Sequence, residues 1–205
     1  MGGLVLAGNT SGSTTIQATD AVTATITLPS ATDTLVGKTT PSFTTTIGVG
    51  NATPSTSGAG ITFPATQSAS TDANTLDDYE EGTWTPAITY SGTSTATYSF
   101  RNGYYTKVGN QITLTGIISF NESTSTGNVS ITGLPFTALN NTKNRSAFAL
   151  FSFGWVGTTV GLMGQIQENL ASIYLYLNDN AATIVTASNT DTDQDINFTC
   201  TYFGA

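Results

Sequence analysis

Residues 103–120 read GYYTKVGNQITLTGIISF. Apolar and polar side chains alternate on both sides of Gly109-Asn110. Period-two alternation belongs to a half-buried β-strand, and a Gly-Asn pair between two such runs is a turn. The stretch therefore predicts two strands joined by a turn. In "Tyr-Tyr", neighbours on a strand point to opposite faces, so one of Tyr104 and Tyr105 faces outward.

The same pattern extends in both directions. WTPAITY and TATYSF precede it; GNVSITGL, SAFALFSFGWV, ASIYLYL, AATIVTA and DINFTCTYF follow. Asn102-Gly103, Gly127-Asn128 and Asn178-Asp179-Asn180 read as turns between them. The one stretch that reads as helical turns is LMGQIQENL, 162–170. Many short strands at this spacing predict an antiparallel β-sandwich, jelly-roll-like. From Trp84 onward lie seven of the eight tyrosines, eight of the ten phenylalanines and both tryptophans, so the core is expected there.

The front is different. STTIQAT and AVTATITL alternate, but residues 38–74 are Thr, Ser, Gly and Pro with isolated large apolar residues. Such a segment buries too little to offset its ordering entropy, so it is disordered or ordered by other chains. The expected organisation is all-β. A β module over 1–38 attaches the chain to its assembly, a Thr/Ser/Gly/Pro-rich connector or shaft covers 39–82, and a sandwich head covers 83–205.

Composition excludes much chemistry. Histidine is absent, so Ser-His-Asp and Cys-His nucleophile systems and His-based zinc sites are ruled out. One cysteine, Cys200, allows no intrachain disulfide. Five cations against thirteen acids give a net charge of −8, which suits neither nucleic acid nor anionic lipid. No apolar run approaches a membrane span. The N-terminus carries no basic region typical of a secretory signal, and Leu6 stands where a myristoylation motif needs Ser or Thr. Thr and Ser make up about 30% of the chain, so glycosylation triplets arise by chance and carry little weight.

The residues resemble a known group. GITFPATQSASTDANTLDDYEEGTWTP, 60–86, resembles a segment found just before the C-terminal β domain in tail-fibre and related virion-fibre proteins of tailed bacteriophages. YYTKVGNQITLTGIISF (104–120) and ITGLPF (131–136) continue the resemblance. GSTTIQATDAVTATITLPSATDTLV (12–36) is similar to a β module of fibre shafts, with Asp33 where that module more often has Gly. TIGVGNATPS (46–55) is similar to a shorter shaft piece. The resemblance implies a virion appendage, usually a homotrimer, whose C-terminal domain faces the host. It transfers no catalytic residues. The expected function is a tail fibre or spike subunit, bound to other virion proteins through its N-terminal part and to a host-surface receptor, a glycan, through the head. The alternatives are a purely structural head fibre or decoration and a polysaccharide-degrading enzyme.

Four acids, Asp77, Asp78, Glu80 and Glu81, crowd into five positions before Trp84. A solvated connector with Gly82 as its turn is the favoured reading. Calcium, which takes oxygen ligands at short spacing, is the second, especially if three chains bring their clusters together. A glycosidase carboxylate pair is the third. Otherwise no cofactor is expected. DTDQD, 191–195, copies half a calcium loop but continues with Ile196 where glycine is needed. The receptor candidates are Trp84, Tyr104, Tyr105 and Trp155, whose rings could stack on sugars, and Lys143 and Arg145 in the loop NNTKNR, which could meet an acidic glycan. Core packing is the competing reading for the aromatics.

Overall fold

The computed structural model describes residues 46–122, 124–141, 145–157 and 161–205. The module expected over 1–38 lies outside the described residues.

Two short strands come first, β1 (Thr46–Gly48) and β2 (Gly60–Thr62). They pair in parallel, Ile47 against Ile61, and a Thr62 hydroxyl donates to the Thr46 hydroxyl at 2.8 Å. Ile47, Val49, Ile61 and Leu76 remain exposed, as the sparse apolar content of this segment dictates.

The sandwich contains ten strands: β3 (Tyr79–Trp84), β4 (Ala87–Tyr90), β5 (Thr97–Val108), β6 (Gln111–Asn121), β7 (Val129–Thr132), β8 (Ser146–Ala149), β9 (Phe151–Phe153), β10 (Leu162–Ile166), β11 (Ser172–Leu177) and β12 (Gln194–Phe203). They form two antiparallel five-stranded sheets. The first has the order β3-β5-β6-β12-β9 and the second β4-β7-β11-β10-β8. The all-β sandwich read from the alternation is what the chain adopts. Ile112, Leu114, Ile118, Ile131, Ile173, Leu175 and Ile196 point between the sheets and are buried. The chain changes sheet at Thr85-Pro86, where proline supplies no ladder donor, and at Leu150, the one residue between β8 and β9.

Three local expectations are corrected. Asn102-Gly103 is no turn: β5 runs through it as one twelve-residue strand with an irregularity at Tyr98/Phe100. The helical turns expected in 162–170 are absent, because Leu162, Gly164 and Ile166 alternate inward and form β10. AATIVTA is no regular strand; Ile184 and Thr186 make isolated bridges, and a 3-10 turn follows at Ala187–Asn189.

Glycines explain how the aromatic core fits. Gly103 pairs with Gly116 on the inner side of the first sheet. A methyl group on Gly103 would lie 2.1 Å from Trp84 Nε1, and one on Gly116 2.5 Å from the Phe198 ring. Gly164 of the second sheet leaves the same room for Phe148, where a methyl would lie 2.4 Å from its ring. The rings then meet between the sheets. Trp84 and Phe198 are 6.2 Å apart edge to face, and Phe148 stacks on Phe198 at 5.6 Å. The glycine that reads as a turn residue from sequence is here the floor under a ring.

Candidate functional sites on the two sheet faces

The acidic stretch lies in and beside β3, the edge strand of the first sheet, and each carboxylate has its own partner. Asp77 accepts the Ser70 backbone N–H at 2.8 Å, and this bond holds its carboxyl below the ordinary value. Asp78 is buried and forms an ion pair with the buried Lys107, whose ammonium also reaches Gln67 Oε1 at 3.3 Å and lies 5.5 Å above the Phe136 ring. Glu80 accepts the Tyr105 hydroxyl, which pushes that phenol up to about 12; Glu81 accepts the Tyr79 hydroxyl. The connector reading expects four exposed acids. Of the four, Glu81 is exposed, Asp77 and Glu80 are half-buried, and Asp78 is buried because a lysine directed inward from β5 needs a counter-charge there. Gly82 is also no turn, since its missing side chain makes room for the Tyr105 ring, 2.6 Å from where a methyl would stand. Among the described residues no three acidic, histidine or cysteine side chains converge as a metal-binding group.

The aromatic candidates separate. Trp84 is in the core and its Nε1 donates to the Thr115 carbonyl at 2.9 Å, so its ring is not presented to solvent. Trp155 is partly buried against Phe120, 6.0 Å away. Tyr105 turns inward, edge-on to Phe136 at 5.4 Å. Tyr104 is the outward member of the pair and lines a shallow depression of about 340 Å³ with Glu81, Gly82, Thr83, Tyr105 and Thr106. Arg145 is exposed, but its guanidinium grips Glu168 through two bonds of 2.8 and 3.0 Å, so its charge is already engaged. Lys143 lies outside the described residues. In the loop NESTSTGN, the buried Glu122 accepts the Ser125 backbone N–H and hydroxyl and the Thr95 hydroxyl, tying the loop to the sandwich. In DTDQD, Asp195 accepts the Ser119 hydroxyl, Gln194 is buried, and the Asp193 N–H donates to Asn121 Oδ1 at 2.7 Å.

The outer faces of the two sheets differ in chemistry. On the second sheet, Ile173 and Leu175 point inward, so Tyr174 and Tyr176 stand on the outside, half-buried, Tyr174 between Ser130 and Gln165 and Tyr176 between Ile184 and Met163. Register sets one row across the face: Thr89, Ser130, Tyr174, Gln165. The Thr89 and Ser130 hydroxyls are 2.9 Å apart. The Gln167 amide donates to Gln165 Oε1 at 3.3 Å and to the Tyr176 hydroxyl at 3.2 Å. This yields two aromatic rings interleaved with amides and hydroxyls on a rigid sheet. Neither tyrosine stands among the sequence candidates. Their signal was the alternation in SIYLYL, which assigns both rings to one side but does not say which side is solvent.

On the first sheet the outer face exposes large apolar side chains among polar ones. It carries Phe100, Tyr104, Ile117, Phe151 and Phe153 among threonines and asparagines.

No protein-family model matches the chain, and no curated protein matches it. Among solved structures, the fold is similar to that in the crystal structure of Dettilon tailspike protein (gp208), with a TM-score of 0.53 and 16% identity. The likeness covers 62% of this chain and 24% of that one, so the matched part is about a quarter of the tailspike's length, and at this identity what the two share is the fold.

Proposed function

We propose that the chain is a bacteriophage tail fibre or spike subunit, a homotrimer in the virion, that binds a host-surface glycan through its sandwich head without cutting it. The observation that carries this reading is the resemblance of 60–86, 104–120 and 131–136 to virion-fibre sequences. The sandwich's likeness to part of a tailspike supports it. The N-terminal part, 1–38, attaches to other virion proteins, and the Thr-rich segment that precedes β3 spaces the head from them.

The polar face of the second sheet is the proposed receptor surface. A pyranose ring presents a patch of C–H bonds to a tyrosine ring and hydroxyls to amide and hydroxyl groups around it. Tyr174 and Tyr176 supply the rings; Gln165, Thr89 and Ser130, held in register by the strands, and Gln167, bonded to Gln165 and Tyr176, supply donors and acceptors. Each contact is weak and partly compensated by lost water. Repetition over three heads and several fibres then gives avidity.

The test is adhesion of the purified protein to host cells and to their extracted surface polysaccharide. Tyr174→Ala with Tyr176→Ala should abolish retention while leaving the β-sheet circular dichroism unchanged. Reducing-sugar release from the same polysaccharide should stay at background. Unaltered adhesion by the double variant would remove this face from the reading, and sugar release would replace adhesion with hydrolysis.

A further inference from the structure

The outer face of the first sheet is exposed in a way that monomeric sandwiches avoid. Phe151 and Phe153 on β9 are 61% and 62% exposed, Phe100 and Tyr104 on β5 are 52% and 60%, and Ile117 on β6 is 38%. Register gathers them. Phe151 faces Asn197, which faces Ile117, which faces Asn102; Phe153 faces Asp195, then Ser119, then Phe100. Five large exposed apolar side chains gathered on one sheet face, with Asn102, Asn197, Ser119 and Asp195 between them, mark an interaction surface.

We infer that this face is where copies of the chain meet, the same face of two other copies closing with it around one axis. The inference rests on the trimer proposed above and names the surface that builds it. Three observations select a copy of the chain. The first is charge. The protein has a net charge of −8, yet on this side of the sheet's strands the charged residues are Glu81 and Asp195, and these accept hydroxyls from Tyr79 and Ser119. Equal acidic chains repel, so they approach most easily where acids are few, and this side carries two of the thirteen. The second is area. At about 4.8 Å between strands and 3.3 Å per residue, the five strands present roughly 650 Å², which a trimer divides between two neighbours at about 325 Å² each, so the apolar side chains of the front segment must add to it to reach the 600 Å² or so that each partner gives a stable interface. The third is continuity. Phe63 of the front segment lies 6.5 Å from Tyr79, at the end of this face, and Ile47, Val49, Ile61 and Leu76 of that segment are also uncovered. One neighbouring chain can cover both. Three faces about 24 Å wide close as a triangle with each sheet about 7 Å from the axis, room for one layer of side chains.

The experiment is light scattering on the full chain, with Ile117→Lys/Phe151→Lys beside the wild type, and tetranitromethane nitration of Tyr104 in the wild type. The expected result is three chain masses for the wild type, one for the variant with its β-sheet spectrum kept, and a Tyr104 that resists nitration in the wild type. A wild-type trimer whose Tyr104 nitrates freely, or a variant that stays trimeric, overturns this face while leaving the trimer standing. A monomeric wild type overturns both. The nitration is read on the wild type and decides the case even if the variant does not fold.

Discussion

Asp78 and Lys107 show how one residue changes meaning with its surroundings. A cation that reaches the space between two sheets needs an anion, and the carboxylate of an otherwise surface-like acidic run is the nearest supplied by the edge strand. Removing one partner strands a buried charge, at a cost of about 3–5 kcal/mol. Lys107→Met should therefore lower denaturant stability by that order, and Asp78→Leu with Lys107→Met should recover most of it. Glu81→Gln, at an exposed position, should stay within about 0.5 kcal/mol of wild type. A Lys107→Met protein as stable as wild type in urea would mean that the pair is solvated.

At the scale of elements, β3 begins before the composition changes. It pairs along its whole length with β5, from Tyr79 against Val108 to Trp84 against Gly103. A chain started at Thr83 loses most of that strand and leaves Lys107 without Asp78. A chain started at Thr75 keeps both. The longer one should melt cooperatively and well above the shorter, measured by circular dichroism at equal concentration. Equal melting temperatures would show that β3 is dispensable to the sandwich. Loops are held in the same economical way. Glu122 is buried, which on its own raises a carboxyl, but the bonds from Ser125, Thr95 and Thr124 outweigh this and hold it below its ordinary 4.5. A depressed carboxyl stabilises the fold above its unfolded value and loses that contribution as pH falls through the folded one. Acid melting below about pH 4.5 should accordingly be shallower in Glu122→Gln than in wild type, with the two converging in slope above it. Parallel acid limbs would remove Glu122 from the acid sensitivity.

For the whole molecule, the sandwich presents two faces of opposite character. One sheet shows large apolar side chains with two carboxylates, Glu81 and Asp195, among them; the other shows a ring set among amides and hydroxyls. A homotrimer that closes on the first face leaves the second outward, available to a host surface in three directions. The two proposed surfaces are thus separable by mutation: charge on Ile117 and Phe151 should dissolve the assembly, and loss of Tyr174 and Tyr176 should abolish adhesion by an intact trimer.

Alternation in NQITLTGIISF and SIYLYL, the turn at Gly109-Asn110 and the crowding of aromatics after Trp84 determined an all-β sandwich without any coordinates, because a strand's period is local and its inner face must be apolar. The absence of histidine likewise removed whole classes of chemistry. What only the tertiary structure decided was the use of each residue. Gly103 and Gly82 read as turns but lie mid-strand beneath Trp84 and Tyr105, because room for a ring depends on what packs across the sheet. Leu162–Ile166 reads as helical turns, and its two neighbours in the sheet make it a strand. Trp84 and Tyr104 are equally plausible binding aromatics in sequence; one is buried and the other is not, since alternation gives two faces and only the partner sheet says which of them meets water.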